Sequence, residues 1–98
     1  MLTWTRTANI AHGKLGPALA WAHEAATYAK GKTGIDIKVE LAWSGNPHRI
    51  RWVGQTEGFA VFEQAMNKAL ADPKYVDLLA KAGDLFVGFD LDEFWMTA

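Results

Sequence analysis

Residues 35–56 read IDIKVELAWSGNPHRIRWVGQT, and their alternation decides the fold. In IDIKVELAW, residues 35–43, the apolar Ile35, Ile37, Val39, Leu41 and Trp43 share one side, and Asp36, Lys38 and Glu40 share the other. Successive side chains of a strand point to opposite faces, so this is a strand with one buried and one wet face. SGNP at 44–47 is turn chemistry, and HRIRWVGQT at 48–56 is the returning strand. Centring the turn on Gly45 and Asn46 sets Leu41 opposite Ile50, Val39 opposite Trp52 and Glu40 opposite Arg51. One register therefore gives apolar partners on one face and opposite charges on the other.

The flanking segments extend this hairpin into a complete fold. Residues 2–10, LTWTRTANI, alternate with Leu2, Trp4, Ala8 and Ile10 on one side and Thr3, Thr5, Thr7 and Asn9 on the other. Arg6 interrupts the apolar side and is read as a snorkelling side chain or a local bulge in preference to a buried functional guanidinium. From Leu15 to about Lys30 the residues Leu15, Ala18, Leu19, Ala22, Ala25, Ala26 and Ala29 recur at helical spacing. That stripe is mostly alanine, which lets a helix approach a sheet closely. A second helix is expected over 57–71, with Phe59, Phe62, Met66 and Leu70 buried. Asp72 caps and Pro73 begins a short third helix, which Gly83 ends. LFVGFDL at 85–91 is the last strand, with Leu85, Val87, Phe89 and Leu91 turned inward.

The order βαββαβ is the ferredoxin-like arrangement: α+β, a four-stranded antiparallel sheet with helices on one face. Its other face stays open and is expected to carry Thr3, Thr5, Thr7, Asn9, Asp36, Lys38, Glu40, Arg49, Arg51, Val53, Gln55, Phe86, Gly88 and Asp90.

Composition narrows what such a domain does. The chain has 98 residues, enough for one core, so residues 1–98 are expected to form one domain. Its net charge is -1 and it has no extended run of lysine or arginine, which argues against nucleic acid. The open-face strands would present threonine and arginine rather than the stacking aromatics of an RNA-binding sheet. The chain has no cysteine, hence neither a disulfide nor thiolate chemistry. His12, His23 and His48 lack metal-ligand spacing, so no metal is expected. No signal peptide and no membrane span are legible, and a soluble, cytoplasmic protein is expected.

Residues 59–95, FAVFEQAMNKALADPKYVDLLAKAGDLFVGFDLDEFW, resemble the second half of dimeric α+β barrel proteins. These include the antibiotic-biosynthesis-monooxygenase-like and NIPSNAP-like domains. The carried features are a Phe-rich second helix, the ADPKY break, a short third helix, a last strand and an aromatic end. The resemblance implies a homodimer whose two sheets pack face to face as a barrel able to hold a small molecule. In that superfamily some members oxidise aromatic substrates with oxygen and no cofactor, and others degrade haem. The haem degraders carry a histidine in the second helix, and residues 57–71 have none. No cofactor is expected.

Three readings follow. One is a homodimeric α+β barrel that binds a small polar or aromatic molecule, anionic or phenolic, at Thr5, Thr7, Asn9, Trp43, Arg49, Arg51, Phe86 and Asp90, or that has only a structural role. Another is a cofactor-independent monooxygenase or related small-molecule enzyme using Asn9, Arg51 and Trp43. The last is a protein-interaction module. The end of the sequence, DEFWMTA, bears on the partner. If the last strand stops near Leu91, then Phe94, Trp95 and Met96 pass beyond their own sheet and clamp a second copy. The alternative is that they fold back over the first strand or third helix.

Overall fold

In a computed structural model describing residues 1–98, the alternating stretches become β1 (Leu2–Ile10), β2 (Lys38–Leu41), β3 (Arg49–Thr56) and β4 (Phe86–Met96). The helical stripes become α1 (Leu15–Thr33), α2 (Phe59–Leu70) and α3 (Pro73–Ala80). The four strands form one antiparallel sheet in the order β2-β3-β1-β4. The core lies between that sheet and the helices, where Trp4, Ala8 and Ile10 of β1 and Ile50 and Trp52 of β3 meet Ala18, Ala22 and Ala26 of α1.

The hairpin register is the one its two faces demand. Val39 pairs with Trp52, Glu40 with Arg51 and Leu41 with Ile50. Arg51 Nε donates to Glu40 Oε1 at 2.7 Å on the face away from the helices. Strand β2, Lys38–Leu41, is shorter than the alternation of 35–43 suggests, and opposite its start β3 carries Gly54. Ile35 and Ile37 leave the ladder and fold over that glycine, and a Cβ there would meet Ile35 Cγ2 at 3.3 Å. Helix α1 runs past Gly31 and stops at Gly34, whose φ of 78° is the left-handed turn that closes a helix. Asp72 caps α3 as expected, accepting from the Lys74 amide. On α2 the buried position is Ala69, with Phe62 and Met66 half-buried, whereas Phe59 and Leu70 lie about half exposed at 52% and 50%.

Two expectations are corrected. The sheet is not closed into a barrel: β2 and β4 are its edges and do not pair with each other. Closure into a packed barrel takes about eight strands, and four twisted strands cannot turn through a full circle. Strand β4 also has the opposite facing from the one expected. Phe86 pairs with Ile10 and Val87 with Asn9, then Leu91 pairs with Thr7 and the ladder continues to Met96 opposite Leu2. Phe86 therefore turns towards the helices, and Val87 and Leu91 towards the open face. Between the two runs Gly88, Phe89 and Asp90 stand opposite Ala8 alone, a bulge whose Gly88 has φ 73°. A side chain at that φ costs about 1–2 kcal/mol, so the bulge is built on glycine.

The end of the chain follows from this register. Residues 92–96 complete β4 against β1, so they fold back on the first strand and do not run beyond the sheet. Phe94 packs on Phe59 and Phe62, with ring centroids 4.9 and 5.1 Å away. Trp95 lies on the open face beside Thr3 and is 62% exposed.

Candidate functional site

The alanine stripe of α1 does two things. Ala18 and Ala22, fully buried, bring the helix onto the sheet. Further along, Ala25, Ala26 and Ala29 leave room, and a cavity of about 300 Å³ opens between the sheet, α1 and α3. Its walls are aromatic. Trp52 of β3, Trp21 of α1 and Phe86 of β4 meet edge to face, with centroids 5.5–6.0 Å apart. Both indoles are anchored: Trp21 Nε1 donates to the Leu78 carbonyl at 2.9 Å and Trp52 Nε1 to the Ala22 carbonyl at 3.3 Å. The rings are thus fixed by partners outside the space they line.

The polar end of the cavity is made by Arg6, Tyr75 and Asp90. Arg6 stands in the apolar row of β1 because its cross-strand neighbour on β4 is Asp92. Nε and Nη2 donate to the two carboxylate oxygens at 2.7 and 2.8 Å, a bidentate pair. Trp4 Nε1 donates to the same carboxylate at 3.4 Å, and the guanidinium lies 5.6 Å from the Trp4 ring centre. The hydrogen bonds from Arg6 hold the Asp92 carboxyl below its ordinary range, and those same bonds raise the Arg6 guanidinium further. Burial raises the Tyr75 phenol, so at neutral pH it is an uncharged hydroxyl. Tyr75 stacks on Tyr28 at 6.1 Å, and the Tyr28 hydroxyl donates to Asp72 at 2.6 Å, tying α3 to α1.

The residues expected to form one site are divided between the two sides of the sheet. Thr5, Thr7, Asn9, Arg49 and Arg51 lie on the open face. There Thr7, Arg49 and Arg51 border a shallow basin of about 490 Å³ together with Glu40, Ser44, Leu91 and Glu93. Arg51 is engaged by Glu40, and Arg49 donates to the Ser44 and Asn46 carbonyls. Phe86 and Asp90 lie on the other side and line the aromatic cavity. Trp43 joins neither group, being fully exposed in the β2–β3 loop.

Solved structures share this architecture from end to end. A NIPSNAP domain protein from Burkholderia xenovorans superposes with a TM-score of 0.86 at 15% identity, covering 100% of this chain and 95% of that one. The chain has the NIPSNAP-like fold. A NIPSNAP family protein with unknown function from Agrobacterium tumefaciens gives 0.85 at 17% identity, over 100% and 88% of the two chains. A putative antibiotic biosynthesis monooxygenase from Nitrosomonas europaea gives 0.77 at 8% identity, over 99% and 98%. No family model and no curated protein matches the sequence.

Within the NIPSNAP-like fold, sequence reasoning passed over Arg6, Tyr75, Asp92 and Trp21 as site residues. A signal was present for Arg6 and Asp92. Arg6 is the one charge in an apolar row, and Asp92 falls on the row that the corrected β4 register turns the same way. Nothing local marks Tyr75, which reaches the cavity only because the Asp72–Pro73 break redirects the chain over α1.

Proposed function

We propose that the protein is a small-molecule enzyme of the cofactor-independent monooxygenase type, acting on a small aromatic substrate held between the sheet and the helices. The observation that carries this reading is the aromatic cavity with its single polar end. A volume of about 300 Å³ is at the lower bound of ligand pockets, suited to one or two rings. Trp21, Trp52 and Phe86 would clasp the ring and keep water away, and the polar end would orient its substituent. The likeness to a putative antibiotic biosynthesis monooxygenase supports the same class. In the reaction, a ring-activated CH2 becomes C=O: two C–H bonds break and one oxygen atom of O2 enters the product. The other oxygen leaves as water with the two hydrogens, and four electrons pass from substrate to oxygen.

1-Naphthol is a suitable probe. It should quench tryptophan fluorescence saturably, and Ala82→Phe, which projects a ring into the cavity from the end of α3, should weaken binding at least about tenfold. Oxygen uptake above the protein-free rate, read with an oxygen electrode on 1-naphthol and on 2-indanone, a two-ring compound with ring-activated CH2 groups, completes the test. Saturable binding with no uptake on either would leave a binding protein in place of an enzyme. Loss of binding in Arg51→Ala but not in Ala82→Phe would move the site to the open face.

The partner we infer is a second copy. Val87, Leu91 and Trp95 expose apolar surface along the open side of β4, at 54%, 58% and 62%, with Glu93 between the last two, while Phe94 and Met96 lie on the helix side of the strand. Patches of this kind mark association surfaces. Arg51 with Glu40 and Arg49 would lie at the polar rim of that contact, where ion pairs set register more than affinity. Trp95→Ser leaves the ladder of β4 intact and should raise the dimer dissociation constant by tenfold or more in sedimentation. A chain that sediments as a monomer at all concentrations, before any substitution, would rule out the homodimer.

A further inference from the structure

The polar end of the aromatic cavity carries an unbalanced charge. Arg6 is committed to Asp92 through both carboxylate oxygens, at 2.7 and 2.8 Å, and that pair is neutral as a unit. Tyr75 is uncharged. Asp90 is what remains: it lines the cavity and makes no ion pair with any cation of the chain. Its position is set by the bulge, since the two residues added opposite Ala8 place Asp90 at the cavity rim with Phe89 turned out to solvent at 97% exposure. Bulges are a recurrent means of re-aiming a side chain beside a site. Beyond Asp90, the walls are indole and phenyl faces, whose negative quadrupole also favours positive charge.

We propose that the cavity selects aromatic molecules bearing a protonated amine, with Asp90 as the specificity-determining residue that receives the ammonium group. This rests on the cavity being the binding site and adds the class of molecule it takes. An aromatic carboxylate of equal size is disfavoured, because the Arg6 charge is already balanced by Asp92 and the carboxylate of Asp90 repels it. The ring lies in the cavity against the wall that Trp21 and Trp52 form together, and the amine stays at the rim beside Asp90, where it keeps part of its hydration. The contact is partly solvated, so its contribution is of the order found for exposed ion pairs, roughly fivefold in affinity.

Phenethylamine, 2-phenylethanol and phenylacetate present one ring with a positive, neutral or negative end. Titrated against the intact protein by tryptophan fluorescence in low salt, phenethylamine is expected to bind about fivefold tighter than the alcohol, and phenylacetate more weakly than either. Asp90→Asn and Asp90→Ser should each shrink the gap between amine and alcohol to less than twofold, and raised salt should do the same. If 2-phenylethanol binds and is weakened by Ala82→Phe, but the amine binds no tighter, the charge selection is wrong and the cavity site stands. If phenylacetate binds best, the selection is also wrong. If none of the three binds, both the selection and the cavity site fall.

Discussion

Trp52→Ala should lower the free energy of unfolding by about 3–5 kcal/mol, the usual range for removing a buried tryptophan. Trp52 is 8% exposed and belongs to the main core cluster. Its ring touches Trp21 and Phe86, and its indole N–H is bound to the Ala22 carbonyl. Truncation leaves those two rings without their common neighbour and joins a new void to the cavity already present. For a domain of this length each kcal/mol moves the midpoint by about 4–8 °C, so the melting temperature should fall by at least about 12 °C. Trp52→Phe keeps most of the ring area and should lose much less. A Trp52→Ala protein that melts within a few degrees of the parent would show that the aromatic cluster is not part of the stabilising core.

The second large effect concerns Asp92. Removing one partner of a buried ion pair typically costs 3–5 kcal/mol, because the other charge is left without compensation. Here the Arg6 and Asp92 side chains retain 37% and 35% of their surface, so water screens part of that loss. Asp92→Ala should therefore destabilise by roughly 1–2 kcal/mol at neutral pH. The pH dependence has a definite sign. The Asp92 carboxyl is lower in the folded protein than in the unfolded chain, so the folded state holds the carboxylate more strongly. Its contribution is complete above the unfolded value and disappears as the pH falls through the folded one. Denaturant midpoints of parent and Asp92→Ala should then differ at pH 7 and converge in acid. A constant difference across that range would mean that the substitution acts through packing and not through charge.

The contrast between the hairpin and β4 shows what was legible. In residues 35–56 both faces speak: one row is apolar, the other carries Glu40 and Arg51, and a single register satisfies both. Strand β4 offers apolar residues on both rows, Val87 and Leu91 on one, Phe86 and Phe94 on the other. Pattern cannot choose between such rows, and the wrong choice turned over the side chains from Phe86 onward, while Leu85, just before the strand, packs on the core as expected. It also ended the strand too early, which made the closing aromatics look like an overhang. Pairing with β1 decides the matter, and that is contact between residues nearly the whole chain apart.

The site was less legible than the fold for a related reason. Its walls come from five separate elements, and the cavity is a space where α1 carries Ala25 and Ala29 instead of larger side chains. The same alanines announced close approach, and at Ala18 and Ala22 that is what they provide. Whether a small side chain draws two surfaces together or leaves a gap depends on what the opposite surface supplies. Periodicity along one helix does not contain that information. The partition of Arg51 and Asp90 onto opposite sides of the sheet follows from the hairpin register for the one and from the pairing and bulge of β4 for the other.

The bulge at Gly88 has one more consequence, for how the chain behaves in crowded solution. An open sheet exposes two outer rims of unpaired peptide groups, and a long straight rim can recruit strands from other molecules into fibrils. Strand β2 is four residues long and carries Lys38 and Glu40. Strand β4, at eleven residues, would be the dangerous one, since it is rich in Phe, Val, Leu and Trp. The left-handed turn at Gly88 kinks its rim, and Asp90 and Glu93 place two carboxylates without an ion-pair partner along the remainder. A foreign strand arriving there finds no uninterrupted run of peptide groups and meets repulsion if it is another copy in register. The irregularity that positions Asp90 at the cavity also protects the sheet from polymerising.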